Sequence, residues 1–350
     1  MNIHSKGKVY KVKYLRNLMV YVYKKIIGKK PYYYLRISEK RGKKAVSKDL
    51  AYLGSSIEEA KRAIENLPQY KEKIRKAHRT IQNFLESNHF LEKALALKLK
   101  EDEFLGEKLA EVEACKIHYN NVFKKRDELT KKEIWKNFIV EFAFNTASIE
   151  GNTITLKEAK NLLEEGMTPK NKTLREIYDL QNGEKVFLNL LESKDELSHE
   201  VIINLHASLL EKIDARIGYR KEDIRVFKSH FDATPGPYVL TDMKLLLKWY
   251  NENKSKLHPL VLATIFHHKF EKIHPFMDGN GRTGRMLVNY ILMQSEYPPL
   301  ILHKRSRVEY LNVLKKADDS DLTKFLVEDY SQLAQFAADE LIISYWGLFL

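Results

Sequence analysis

The chain has 350 residues and a single cysteine, Cys115, which excludes an intrachain disulfide framework and fits a reducing compartment. No stretch approaches the ~18 uninterrupted apolar residues of a membrane span. The opening Met1-Asn2-Ile3-His4-Ser5-Lys6 has no apolar stretch followed by small residues, so no secretory leader is expected and the cytoplasm is the expected location. Internal repeats and low-complexity segments are absent. A zinc pattern is absent too: His258, His267, His268 and His274 form no i,i+4 pair, no cysteine lies near them, and H-E-x-x-H does not occur. His267 and His268 are expected to cap or pack, and Cys115 to be a tolerated thiol.

Acidic residues are scarce in one region only. The formal charge is +13, from 60 Lys plus Arg and 47 Asp plus Glu. Residues 1–80 hold 22 basic and 6 acidic residues, a net of +16, and residues 81–350 hold 38 and 41, a net of −3. A uniformly basic nucleic-acid protein is thereby excluded, and two kinds of surface are joined in one chain. An apolar share of 44% suffices for a buried core and argues against global disorder.

Residues 1–54 read as a basic, β-containing module. Val9-Tyr10-Lys11-Val12-Lys13-Tyr14 alternates with period two, and Pro31-Tyr32-Tyr33-Tyr34-Leu35-Arg36-Ile37 is rich in strand formers. A turn at Arg41-Gly42-Lys43-Lys44 predicts a hairpin with a basic tip. The three tyrosines 32–34 read as strand residues facing a core. Ser55 or Ser56 caps a helix start, and 55–130 reads as a charged helical connector, with helices near 56–66, 69–86, 88–103 and 105–128. The rest is helical almost throughout: 131–149, 156–165 behind a Thr155/Glu158 capping box, then near 172–193, 198–213, 241–254, 258–272, 281–295, 306–317 and 321–344. A helical body over 131–330 and a C-terminal helix end over 331–350 are expected. The second half has one β-like stretch, Ile224-Arg225-Val226-Phe227, with a turn near Thr234-Pro235-Gly236-Pro237-Tyr238.

One segment carries chemistry: His274-Pro275-Phe276-Met277-Asp278-Gly279-Asn280-Gly281-Arg282-Thr283-Gly284-Arg285. Glycines ahead of a helix let consecutive backbone N–H groups line one concavity, which suits an anion, and the helix dipole adds to it. Arg282 and Arg285 lie three apart on one face and offer planar, permanent cations for phosphate. Asp278 could hold Mg²⁺ together with phosphate oxygens, and His274 could act as a base near pH 7. The set suits phosphoryl or nucleotidyl transfer.

The same segment resembles the Fic family of AMP-transferring enzymes, whose signature is H-x-F-x-[DE]-G-N-[GK]-R-x-x-R. All eight specified positions match, and the resemblance covers about 130–330. The fold it implies is mainly α: a Fic-type helical bundle with a small β-hairpin flap, here with the small β-containing N-terminal module added. It implies that AMP moves from ATP to a Ser, Thr or Tyr hydroxyl of a protein target, with self-modification as a further outcome. His274 would deprotonate the hydroxyl, and Asp278 would hold Mg²⁺. The N–H groups of Gly279, Asn280 and Gly281 would stabilise phosphate charge, with Arg282 toward the β-phosphate and Arg285 toward the γ-phosphate. Phe276 would anchor the loop. Thr146-Ala147-Ser148-Ile149-Glu150-Gly151 resembles the family's inhibitory motif [ST]-x-x-x-E-[GN], which implies that Glu150 restrains transfer by pairing with Arg285. The 224–227 stretch, Ile224, Arg225, Val226 and Phe227, resembles the family's target-docking flap. Tyr310, Leu311 and Asp318 fall where the family lines the adenine pocket, although Leu311 and Asp318 depart from the commoner Tyr and Asn.

Two other readings stay open: removal of AMP by the same site, and a nucleic-acid- or partner-binding regulator with weak self-modification. The Lys29, Lys30, Lys40, Arg41, Lys43 and Lys44 positions bear on the second, by contact with phosphate backbones. A homodimer is also compatible with the exposed helical faces.

Overall fold

The computed structural model describes residues 19–28, 30–41, 44–224 and 232–350. The chain divides into two compact units, Met1–His89 and Phe90–Leu350.

In the first unit, β1 (Met19–Ile27), β2 (Lys30–Arg41) and β3 (Lys44–Gly54) form an antiparallel sheet in the order β1-β2-β3. Ile27 pairs with Lys30, and Gly28 between them takes φ +64°, the left-handed conformation a tight hairpin turn needs. Alternation decides which face is buried. Val20, Val22, Tyr33, Leu35, Ile37 and Leu53 point to one side and are buried with Ile57 and Ala60 of α1 (Ile57–Glu65) and with Ala77, Ile81 and Leu85. Ser56 is the N-cap of α1, its hydroxyl accepting from the Glu59 N–H at 3.1 Å.

The strand expected at 9–14 lies outside the described residues. The strand at Met19–Ile27 went unread, although it alternates with the same period. Only Tyr33 of the three adjacent tyrosines faces the core, because neighbours on a strand point to opposite sides. The single helix expected over 69–86 is two, α2 (Lys71–Lys76) and α3 (His78–Ala96), separated at Ala77, and α3 ends well before residue 103.

The second unit is built of helices and irregular connections, with no strand among its described residues. Its first helices are α4 (Leu109–Asn121), α5 (Glu128–Ile149), α6 (Leu156–Glu165), α7 (Leu174–Glu192), α8 (His199–Leu209) and α9 (Val239–Asn253). They are followed by α10 (Pro259–Ile273), α11 (Asn280–Gln294), α12 (Arg307–Lys316) and α13 (Val327–Leu348). Every residue of α10 from Leu260 to Phe270 is buried, as expected of a helix that is apolar nearly all round. Around it pack α9, α11 and α13, while α5, α7 and α8 close over α11. Thr155/Glu158 is the capping box read from the sequence, and Thr173/Glu176 makes a second one at α7. The last helix starts at Val327 rather than 321. The segment before it is tied to α10: the buried Lys269 ammonium donates to the carbonyls of Asp321 and Lys324 at 2.6 and 2.8 Å. Among the described residues, no helix is long and apolar enough to cross a membrane.

Candidate active site

The 274–285 segment joins the end of α10 to the start of α11 and is held from three sides. His274 is the C-cap of α10 in the left-handed conformation, at φ +51° and ψ +60°. A non-glycine residue reaches that region only when its surroundings hold it there. Arg220 supplies part of the hold. Its guanidinium, almost wholly buried, donates to the His274 carbonyl at 2.8 Å and the Ile273 carbonyl at 3.2 Å, and the Arg220 backbone N–H donates to the Pro275 carbonyl at 2.9 Å. The same guanidinium reaches the carbonyls of Glu222, at 2.8 Å, and Thr234, so it pins the two ends of the 222–234 segment to the loop.

Below the loop, the Phe276 ring is fully buried and stacks on His206 with centroids 3.6 Å apart. His206 Nε2 meets the Asp278 carbonyl at 2.9 Å. A carbonyl only accepts, so Nε2 carries the proton. Asn280 closes the turn with its own amide, accepting from the Phe276 N–H at 2.9 Å and donating to the Phe276 carbonyl at 2.8 Å. Gly279, at φ +77°, is the N-cap of α11, and a Cβ there would lie 2.5 Å from Leu210. The first N–H groups of α11 thus follow a left-handed glycine and face the loop, the arrangement that binds anions.

The titratable groups are poised accordingly. His274 Nδ1 lies 3.3 Å from the Glu271 carbonyl, so Nδ1 carries the hydrogen and Nε2 the lone pair. Burial pulls His274 below the usual histidine range, which keeps it neutral at pH 7. Asp278 is pushed up by burial, but Arg282 and Arg175 outweigh that and hold it below the ordinary carboxylate range.

Each charged group of the segment already has a protein partner. Arg285 is 3% exposed. Its Nε donates to the Thr146 hydroxyl at 2.8 Å, and Nη2 donates to the Thr146 carbonyl at 3.1 Å and to Glu150 Oε1 at 2.7 Å. Gly281 makes this approach possible, since a Cβ there would lie 2.2 Å from Glu150 Oε1. Glu150 is the C-cap of α5, and its side chain is 46% exposed. Burial works against its charge, but Arg285, helped by Arg282 and Arg307, holds it ionised below the usual range. Arg307 also donates to the Ile149 carbonyl at 2.8 Å, which fixes the end of α5. Arg282 is paired with Asp179, and Asp278 with Arg175, both partners coming from α7.

Tyr310 is buried on α12 with its hydroxyl 2.6 Å from His267 Nε2. Asp318 accepts from His268 at 3.1 Å, and Leu311 is 42% exposed. Ile224 lies in irregular chain, while Arg225, Val226 and Phe227 lie outside the described residues. Both adjacent histidines of α10 are committed to tyrosines: His267 to Tyr310, and His268 to Tyr330 at 3.0 Å.

Sequence reading missed Arg175, Asp179, His206 and Glu271, and gave Arg220 no role. Arg175 and Asp179 sit four apart behind a capping box, which shows that they share a helix face but not what the face meets. Glu271 is a carboxylic acid buried inside the bundle, pushed up to about 8 by burial. Its Oε1 and the His267 Nδ1, 3.9 Å apart, have no hydrogen-bond partner among the described residues. A Cβ on Gly284 would fall 2.6 Å from that nitrogen and 2.8 Å from that oxygen.

Comparison with known proteins agrees with this geometry. The Fic/DOC family pattern matches residues 196–292. The chain is 34% identical over 216 residues to the protein adenylyltransferase Fic of Drosophila ananassae, covering 60% of this chain and 42% of that protein. It is 34% identical over 191 residues to the protein adenylyltransferase fic-1 of Caenorhabditis elegans, covering 53% and 38%. The chain thus spans less than half the length of these curated relatives. Among solved structures, a Fic domain containing signaling protein from Bacteroides thetaiotaomicron superimposes with a TM-score of 0.62 at 25% identity, over 67% of this chain and 94% of that one. Fic-1 from C. elegans superimposes with a TM-score of 0.57 at 26% identity, over 83% and 80%. The helical bundle around 274–285 has a Fic fold, and residues 196–292 within it match the Fic/DOC family.

Proposed function

We propose that the protein is an adenylyltransferase that moves AMP from ATP to a Ser, Thr or Tyr hydroxyl of a protein target. The observation that carries this reading is the placing of His274, with its Nε2 lone pair available, beside the glycine-led N-terminus of α11 with its two arginines. His274 Nε2 takes the hydroxyl proton and the oxygen attacks the α-phosphorus. The bond to the bridging oxygen breaks, and pyrophosphate leaves. The N–H groups of Gly279, Asn280 and Gly281 stabilise the charge on the phosphates, and Arg282 and Arg285 hold the β- and γ-phosphates. Tyr310, Leu311 and Asp318 are assigned to the adenine end, and the 224–227 stretch to the docking of the target as an added strand.

Mg²⁺ fits the donor set. Asp278 is an ionised carboxylate, 32% exposed, just ahead of the anion-binding turn, and Mg²⁺ is commonly held by one or two carboxylates plus phosphate oxygens. When bound, the ion would offset negative charge on the polyphosphate.

Glu150 is the brake. With Arg285 engaged by Thr146 and Glu150, its fork is not available to a γ-phosphate, so ATP binds without its productive orientation. One observation favours the reverse reaction as a second activity of the same site: the Glu150 carboxylate is held ionised by Arg285 and its side chain is partly open to solvent, so it can orient a water against an AMP-modified side chain.

The test is intact mass after incubation with ATP and Mg²⁺. Glu150→Gly protein should gain one AMP unit per modified site, and the Glu150→Gly/His274→Ala double variant should gain none. A gain in the double variant, or none in Glu150→Gly with or without an added protein acceptor, overturns the reading.

A further inference from the structure

The sheet of the first unit has a second face that the catalytic reading does not use. Tyr21, Tyr23, Tyr32, Tyr34 and Tyr52 lie on the side opposite the buried residues. They form a continuous patch because they are cross-strand neighbours: Tyr23 pairs with Tyr34, and Tyr34 with Tyr52. The Tyr34 and Tyr52 ring centroids are 5.4 Å apart, Tyr32 and Tyr52 are 6.4 Å apart, and the Arg36 guanidinium lies 3.7 Å from the Tyr23 centroid. Tyr52 is 54% exposed. A core needs no such row, since the hydrophobic side of the same strands is already filled by Val20, Val22, Tyr33, Leu35 and Ile37.

The sequence of this sheet and of the residues before it is strongly basic. Residues 19–54 contain ten basic and two acidic residues, and residues 1–18 add five basic residues and no acidic one. One of the two acids, Asp49, is taken by Arg36. Lys25 and Lys30 are exposed at the β1–β2 end of the face, and β2, with 12 residues, gives it a length of about 36 Å.

We propose that this face binds single-stranded nucleic acid, with unpaired bases stacked on the tyrosine rings and phosphates held by the surrounding lysines. Aromatic rings on a flat sheet match the faces of unstacked bases, and any base will do, so the binding is tolerant of sequence. The basic surround supplies a polyanion-attracting field that salt weakens. Duplex DNA is a poorer occupant, because its bases are stacked inside and offer the rings nothing. This proposal is independent of the chemistry assigned to 274–285.

The full-length protein is titrated into fluorescein-labelled 20-nucleotide oligothymidylate, mixed-sequence RNA and a 20-base-pair duplex, with anisotropy read at 50 and 200 mM salt. The single strands should bind more tightly than the duplex and lose about tenfold or more in affinity across that salt range. Tyr52→Ala and Tyr34→Ala should each weaken binding at least about fivefold, the lower end of what one stacked base contributes. Tyr52→Phe should bind like the parent, because stacking does not need the hydroxyl. Each variant is checked for an unchanged melting temperature, and self-modification in a Glu150→Gly background should be unaffected. Tyr52 is exposed enough for its truncation to leave the fold intact, so the test stands even if Tyr34→Ala melts early. No anisotropy change at 50 mM salt overturns the proposal. So does duplex binding equal to single-strand binding and insensitive to the tyrosines, and so does a self-association that Tyr52→Ala abolishes.

Discussion

Thr146 and Glu150 grip Arg285 from the last turn of α5, the hydroxyl of Thr146 accepting from Nε at 2.8 Å and the carboxylate of Glu150 from Nη2 at 2.7 Å. The spacing of four residues puts both oxygens on one helix face. The threonine of the proposed brake therefore touches Arg285 directly, taking the Nε donor that Glu150 leaves open. Thr146→Val removes one neutral acceptor and keeps the shape. With a hydrogen bond to a charged group worth about 1.5–3 kcal/mol, self-modification should rise, by less than in Glu150→Gly, and the double variant should exceed neither single change by the full product. Rates of AMP incorporation in the three proteins decide it. A Thr146→Val protein as inactive as the parent would show that Glu150 alone restrains Arg285.

Arg175 is paired with Asp278, the carboxylate assigned to Mg²⁺. The two cations compete for one anion. The pair is partly exposed, so its strength is that of a surface ion pair, about 0.2–1 kcal/mol. In the Glu150→Gly background, Arg175→Ala should lower the half-saturating Mg²⁺ concentration by up to about fivefold, with little change in the maximal rate. Titrating Mg²⁺ at saturating ATP measures this. A raised half-saturation point would mean that Arg175 assists the nucleotide instead of opposing the ion.

Much of this site was legible because the chemistry is local. Glycine, histidine and arginine at fixed spacing within twelve residues place a left-handed cap, a histidine and two arginines around one turn, and helix geometry does the rest. The Thr155/Glu158 capping box was legible for the same reason: both partners sit within one turn. What stayed hidden is what lies far away in sequence. Arg220 serves carbonyls more than fifty residues downstream, and Arg175 meets Asp278 across 103 positions. Nothing in a local pattern encodes such pairings. The tyrosines 32–34 were misread for a different reason: β-formers in a row say strand, but only alternation against the neighbouring strands says which of them is inside.

Arg220 is the residue whose loss should be felt most widely. It holds the carbonyls on either side of the His274 backbone and both ends of the 222–234 segment. Arg220→Lys keeps the charge but loses the planar fork. Leaving several buried carbonyls short of a donor should cost about 2 kcal/mol or more, seen as a melting temperature lowered by roughly 4–8 °C. The transfer rate should also fall at temperatures where the variant is folded, because His274 needs its left-handed conformation held. A variant that melts with the parent and transfers AMP at the parent's rate would show that Arg220 does not position the loop.

Glu271 makes the stability of the protein pH-dependent in a direction that runs against the usual behaviour of carboxylates. Its folded pKa is raised to about 8 by burial, with Glu150 adding to the effect and Arg285 opposing it. Unfolded, it titrates near the ordinary value of about 4.3. Between those two values the folded state binds a proton that the unfolded state has released, so stability falls as pH rises through this window, by at most about 1.4 kcal/mol per pH unit. The neighbouring His267, pulled down to about 3 by burial, adds its own slope only below about pH 6.5, and Tyr310 stays neutral throughout. Glu271→Gln keeps the size and removes the proton. The parent should therefore lose stability between pH 6.5 and 8, and the variant should lose clearly less, as read from urea midpoints across that range. Parallel curves for the two proteins would show that Glu271 is ionised in the folded state and already compensated by Arg285.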